Sequence, residues 1–93
     1  MSVVRIPPTL RTETAGEREV IVEGETVREL LDDLTSRFPA IKGHLFDDGG
    51  ELNRFVNVYV NNEDVRLGNG LETTVTPEAT VIVLPAMAGG SPP

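Results

Sequence analysis

The amino-acid sequence predicts a two-layer α+β fold, with one main helix lying across one face of a mixed four- to five-stranded sheet. Three observations carry this prediction. A single stretch has a helical apolar stripe: Val27, Leu30, Leu31, Leu34 and Phe38, with Pro39 as a stop. Apolar residues at three- and four-residue intervals line one side of a helix, so this helix has one face to bury. On both sides of it lie short β-branched stretches bounded by Gly, Pro and Asn, which read as strands. The chain has 93 residues and no Cys. That length buries roughly two-thirds of its unfolded surface, enough for one core without disulfides.

The elements follow in order. Residues 3–6 form a first strand, stopped by Pro7-Pro8, which cannot continue a ladder. Residues 9–16 read as a loop or wide hairpin turn. Residues 17–23 (Glu-Arg-Glu-Val-Ile-Val-Glu) form a second strand with Val20 and Val22 on one face. The two strands make an N-terminal hairpin. Thr26 is the N-cap of the helix, and Glu29 three residues on completes a capping box. Glu29, Asp32, Asp33 and Ser36 fall mostly off the apolar stripe.

Beyond the helix, Ile41, Leu45 and Phe46 are expected to tuck in as a helical turn, and Asp47-Asp48-Gly49-Gly50 is a surface turn. Phe55-Val56-Asn57-Val58-Tyr59-Val60 is the cleanest strand. Val56, Val58 and Val60 suit the side packed on the helix, which puts Phe55, Asn57 and Tyr59 on the other side. Asn61-Asn62 turns the chain, and Val65-Arg66-Leu67 is expected to add a short edge strand. Gly68-Asn69-Gly70 is a turn, and residues 71–77 a loop with room for a helical turn. Residues 80–84 are the last strand, ended by Pro85. Its near-continuous apolar run suits a central strand. Placed beside the first strand, it sends the C-terminus out from the middle of the sheet. The order β-β-α-β-(β)-β is that of the β-grasp, or ubiquitin-like, architecture. Residues 1–85 are assigned to this domain. Residues 86–93 are assigned to a flexible C-terminal tail carrying Gly89-Gly90 and then Ser91-Pro92-Pro93.

Charge and composition narrow the functions. The net charge is −7, from 15 acidic and 8 basic residues. A broad phosphate-binding face is therefore not expected, which argues against nucleic acid. The N-terminal residues have no basic n-region followed by an apolar stretch, and no apolar run approaches the ~20 residues that span a bilayer. A soluble cytoplasmic protein, monomeric on its own, is the expectation. The absence of Cys removes thiol nucleophiles and cysteine-based metal sites. His44 is the only histidine; with no second His and no Cys a metal site is not expected, and no Ser/His/Asp constellation is argued around it. Asp32-Asp33 point apart on a helix, and the acids of the 47–51 turn lack the ligand spacing of a calcium loop. The chain is expected to have no catalytic apparatus, no cofactor and no metal of its own.

The tail carries the chemistry instead. Two glycines make the narrowest backbone available and admit dihedrals closed to other residues. Five residues, from Ala86 to Gly90, reach up to ~17 Å when extended, far enough to enter a partner's active site. Phe55 and Tyr59, on the sheet face away from the helix, are the expected docking patch, with Pro85, Ala86, Met87 and Ala88 as the segment that a partner grips.

Several segments resemble one family. They are Ile6-Pro7-Pro8-Thr9-Leu10-Arg11, the helix, the run from Arg54 through Val60 to Arg66, and Val81-Ile82-Val83-Leu84-Pro85-Ala86-Met87-Ala88-Gly89-Gly90. Together they resemble the ubiquitin-like sulfur carriers of the ThiS/MoaD family, most closely the CysO type that serves thiocarboxylate-dependent cysteine synthesis. The resemblance implies a protein substrate rather than an enzyme. An E1-like adenylating enzyme would use ATP and magnesium to activate the Gly90 carboxylate, and a sulfur source would convert it to a thiocarboxylate, with Gly89 keeping the approach narrow. In the cysteine branch it further implies a PLP-dependent cysteine-synthase-like partner and a JAMM-type zinc metallopeptidase. The family pattern stops at Gly-Gly, whereas Ser91-Pro92-Pro93 follow here. The resemblance therefore implies a precursor cleaved after Gly90; the alternatives are a non-native extension or an inactivating change. Other roles left open are the small subunit of a molybdopterin-synthase-like complex and an interaction or tagging module without sulfur transfer.

Overall fold

The computed structural model describes residues 1–85. The expectations placed on residues 86–93, including Ala86, Met87, Ala88, Gly89 and Gly90, lie outside the described residues. Five strands form one mixed sheet: β1 (Ser2–Arg5), β2 (Glu19–Val22), β3 (Val56–Val60), β4 (Glu63–Asp64) and β5 (Thr80–Pro85). Their spatial order is β2-β1-β5-β3-β4. The first two are antiparallel, β1 and β5 are parallel, and β3 runs antiparallel to β5. The main helix, α1 (Val27–Arg37), crosses one face, and a single helical turn, α2 (Lys42–Leu45), follows it. This is the β-grasp fold expected from the element order.

The core forms because α1 and the sheet each have one apolar face. Val27, Leu30, Leu31 and Leu34 are fully buried, and they meet Val4, Val22, Val56, Val58, Val81 and Val83 from the sheet. Phe38 caps this cluster while partly exposed. Ile41, Leu45 and Phe46 close its open side, as the sequence predicts. Full burial of one such aliphatic side chain stabilises the domain by about 1.5–3 kcal/mol.

Local chemistry sets the start of α1. The Thr26 hydroxyl accepts a hydrogen bond from the Glu29 amide at 3.2 Å. Glu29 returns the contact one residue earlier than a regular capping box, accepting from the Glu25 amide at 2.8 Å. The reason is tertiary: residues 25–27 are also tied to residues 73–75, through the bonds Val27 N to Thr73 O and Val75 N to Glu25 O. Gly24 makes this entry possible, since a Cβ there would lie 2.6 Å from the Glu29 Cβ.

Two loop expectations need correction. The segment after β1 is a 3-10 helix over Pro8–Thr14 rather than an open loop, with Pro at its start. The predicted edge strand over Val65-Arg66-Leu67 is a 3-10 turn, and the edge strand is Glu63–Asp64. The Asp64 carboxylate accepts from the Arg66 amide at 2.9 Å and caps that turn. The Arg66 guanidinium then donates to the carbonyls of Asn53 at 2.7 Å and Val56 at 2.8 Å, and to the Asn57 side chain at 3.0 Å. These bonds draw the chain back against β3 instead of letting it run along the sheet edge.

Candidate functional site

The strand that leads to the Gly-Gly pair is the best anchored of the five. It is flanked on both sides, by β1 and β3, and Val81 and Val83 are fully buried between sheet and helix. β5 ends at Pro85, which is exposed and pairs with Val56. Gly89 and Gly90 follow four and five residues later in the sequence. A pull on this terminus would load two ladders and two core valines, so the domain is a firm holder for whatever residue 90 does.

The sheet face away from α1 has no second layer among the described residues. Strand register puts Ile21, Val3, Arg5, Ile82, Tyr59, Asn57 and Leu84 on it, since directly paired residues share a face: Val3 pairs with Ile21, Arg5 with Ile82, and Ile82 with Tyr59. Ile21 is 51% exposed and Leu84 42%. Val3, Ile82 and Tyr59 are half-buried. This apolar strip runs across four strands and reaches the edge where β5 ends.

The two aromatics of the expected patch are not brought together. Tyr59 belongs to this strip. Phe55 precedes β3 in the turn where its amide donates to the Asn53 side chain at 2.8 Å. Its ring lines a cavity of about 220 Å³ with Leu10, Gly43, His44, Val56 and Pro85, against α2. Arg54 stacks over that ring at 5.0 Å from its centroid. The reason is the turn itself: the strand alternation that would align Phe55 with Tyr59 begins only at Val56. Phe55 therefore stands at the root of the tail, beside Pro85, rather than on the sheet face.

Sequence reasoning missed Ile21, Ile82 and Leu84. The runs Val20-Ile21-Val22 and Val81-Ile82-Val83-Leu84 are apolar on both faces, so periodicity alone does not separate the inner residues from the outer ones.

The remaining polar groups have structural work. Asp33 accepts from the Glu23 amide and pairs with Arg37 at 3.1 Å. Asp47 accepts from the amides of Gly49 and Glu51 and shapes their turn. Arg28 lies 2.8 Å from Glu72, whose hydrogen bond raises its pKa above the usual guanidinium value against an opposing desolvation. His44 is exposed, 3.9 Å from Glu13. Among the described residues no group of three His, Cys, Asp or Glu is placed to hold a metal ion.

Fold and site together define a ubiquitin-like β-grasp domain with an open apolar sheet face and a centrally anchored last strand. The chain belongs to the ThiS family, whose sequence model matches residues 4–90. It is 43% identical over 89 residues to the sulfur carrier protein CysO of Mycobacterium tuberculosis, covering 94% of this chain and 96% of that protein. Its structure is similar to that of a chain in the Amycolatopsis orientalis BexX/CysO complex, with a TM-score of 0.89 and 49% identity, covering 97% of this chain and 100% of that one. It also resembles the small archaeal modifier protein 1 of Methanosarcina acetivorans, with a TM-score of 0.84 and 32% identity over 96% and 95% of the two chains.

Proposed function

We propose that this protein is a sulfur carrier whose working group is the carboxyl of Gly90. The observation that carries the reading is where the family match stops: it runs through Gly90 and leaves Ser91-Pro92-Pro93 outside. Gly90 is amide-linked to Ser91, so a peptidase must first hydrolyse that bond, and a JAMM-type zinc metallopeptidase is the expected class. The freed carboxylate is a poor electrophile. An E1-like enzyme joins it to the α-phosphate of ATP, with magnesium, and pyrophosphate leaves. A sulfur nucleophile then attacks the acyl carbon and expels AMP, which leaves a thiocarboxylate on Gly90. That anionic sulfur is the donor. In the cysteine branch it adds to the aminoacrylate of a PLP-dependent synthase, and an S-to-N acyl shift places cysteine on Gly90 for release by the peptidase. Throughout, this chain is substrate and holder, and its partners do the catalysis in the cytoplasm. No described helix is long and apolar enough to cross a membrane.

Docking in this reading uses the bare sheet face, with Ile21, Ile82, Leu84 and Tyr59 as its apolar residues. Phe55 and Pro85 add a second contact where the tail leaves the domain. A partner covering that strip would hold β5 directly and so fix the direction in which residues 86–90 enter its active site. The likeness to an archaeal modifier protein supports a second reading, attachment of Gly90 to lysines of other proteins; this chain's own single lysine, Lys42, gives little basis for self-linked chains.

Mass spectrometry tests the proposal. A chain ending at Gly90 is incubated with an E1-like enzyme from the same genome, ATP and sulfide. The expected result is a mass gain equal to replacement of one oxygen by sulfur. Absence of that gain with each such enzyme overturns the carrier reading. The full 93-residue chain should gain sulfur only after peptidase treatment, and a gain without cleavage overturns the precursor claim.

A further inference from the structure

We propose that Arg5, Arg11 and Arg18 form a carboxylate-recognition surface for acidic side chains of the protein that takes up the tail. The three arginines line one surface depression with Ile6, Gly16, Glu17 and Glu19. That lining carries three bases and two acids, a net +1, so the other residues carry five bases and thirteen acids, a net −8. The lining is opposite in net charge to the rest of the chain.

The cluster is held in position by its own loop. The Arg11 Nε donates to the Ile6 carbonyl at 3.1 Å, which fixes the guanidinium plane and leaves its terminal amino groups for another acceptor. The turn that follows is closed by the Gly16 amide on the Arg11 carbonyl at 2.7 Å, and by the Glu17 amide on the Thr14 carbonyl at 2.9 Å. The buried Thr14 hydroxyl donates to the Glu17 carbonyl at 3.1 Å. Ala15 and Gly16 take positive φ values of 55° and 84° to make the reversal, which returns Arg18 beside Ile6. Among the described residues, the arginine ion pairs engage Arg5, Arg28 and Arg37 and leave out Arg11 and Arg18. Ordering of arginines is a large part of the cost of binding through them. The fold meets it for Arg11, through the Ile6 carbonyl, and for Arg5, through its ion pair with Glu19 of the same lining at 3.3 Å, while the Arg18 side chain makes no hydrogen bond or ion pair among the described residues.

Position connects the cluster to the tail. β1 runs parallel to β5, and Arg5 pairs with Ile82, three residues before Pro85. At about 3.3 Å per residue this puts Arg5 some ~10 Å below the point where β5 ends. Arg5 also shares the bare sheet face with Ile82 and adjoins the apolar strip. The composite surface is an apolar centre with a cationic rim on one side, and it fits a partner with an apolar patch flanked by Asp or Glu. The chain's −7 charge and the flanking Glu17 and Glu19 oppose a long polyanion such as nucleic acid, whereas a short acidic segment places one or two of its carboxylates between them. Such rim charges act on the association rate and on orientation more than on the final affinity. The identity of the partner rests on the carrier reading; recognition of carboxylates by the cluster does not.

Two measurements test this. In the first, the full ¹⁵N-labelled chain is titrated at low ionic strength with hexaglutamate and, separately, with inorganic phosphate. The amides of residues 15–19 and the Nε signals of Arg5, Arg11 and Arg18 should shift with hexaglutamate, and should shift less with phosphate at the same concentration, since one phosphate ion cannot span the three arginines. Arg18→Glu, which removes no intramolecular bond, should abolish those shifts. Shifts that lie elsewhere, that appear equally with phosphate, or that persist in Arg18→Glu overturn the proposal. In the second, association with the enzyme that adds sulfur is followed by stopped flow. Arg18→Glu should slow it about tenfold at low salt, with the difference shrinking as salt rises; an unchanged rate overturns the proposal. Loss of the sulfur mass gain in the wild-type chain sinks the carrier reading and leaves the hexaglutamate result standing.

Discussion

If the bare sheet face is the docking surface, removing its two most exposed aliphatic side chains should weaken binding and spare the fold. Full burial of an Ile or Leu side chain contributes about 1.5–3 kcal/mol. Ile21 is 51% exposed and Leu84 42% in the free protein. About half of that value therefore remains for a partner to collect, ~1 kcal/mol from each. The double variant Ile21→Ala, Leu84→Ala should lose about 2 kcal/mol, or about thirtyfold in affinity. Its stability should stay within about 1 kcal/mol of wild type, because neither side chain touches the core beneath α1. Leu30→Ala is the contrast: Leu30 is fully buried, and its truncation should cost about 2–5 kcal/mol. The assay is biolayer interferometry of the chain ending at Gly90 against the E1-like enzyme, with urea denaturation in parallel. An affinity within twofold of wild type refutes the docking argument. A collapse of the urea midpoint like that of Leu30→Ala refutes the assignment of the face.

Three further outcomes follow from the fold. Gly24→Ala would place a Cβ 2.6 Å from that of Glu29, at a φ of 158°; the overpacking should cost about 1–3 kcal/mol by urea denaturation, and a neutral result would mean the helix entry relaxes freely. Thr26→Ala removes the hydroxyl that caps α1 and should cost about 1 kcal/mol, while Thr26→Ser restores most of it. Arg66→Ala removes three hydrogen bonds that tie the turn after β4 to β3. Amide exchange of residues 63–67 should accelerate while that of β1 and β2 stays unchanged, and an unaltered pattern would show that the turn holds without them.

Much of the architecture was legible because its signals are local. The stripe from Val27 to Phe38, Thr26 as cap and Pro39 as stop each state a helix with known ends, and the structure places it at Val27–Arg37. The apolar run at residues 80–84 pointed to a central strand, and β5 lies between β1 and β3. The edge was misread for the opposite reason. Val65-Arg66-Leu67 has strand composition, but its conformation is set by Arg66 reaching ten residues back to the Val56 carbonyl, a contact that no local pattern records.

The candidate site divides along the same line. The sequence alone supplied the features on which the proposed working end rests: Gly89-Gly90 behind an apolar strand and a proline, Gly90 amide-linked to Ser91, and a chain with no Cys and a single His. These are properties of covalent structure and residue type. Only the tertiary structure decided what surrounds that end. It split Phe55 from Tyr59, since a turn and not strand alternation orients Phe55. It sorted Ile21, Ile82 and Leu84 to the outer face, because outer and inner residues of an all-apolar run are distinguished only by which side α1 covers. It also gathered Arg5, Arg11 and Arg18, up to thirteen positions apart in the chain, into one depression. Burial and electrostatic fields depend on positions in space, and those exist only once the sheet has closed on its helix.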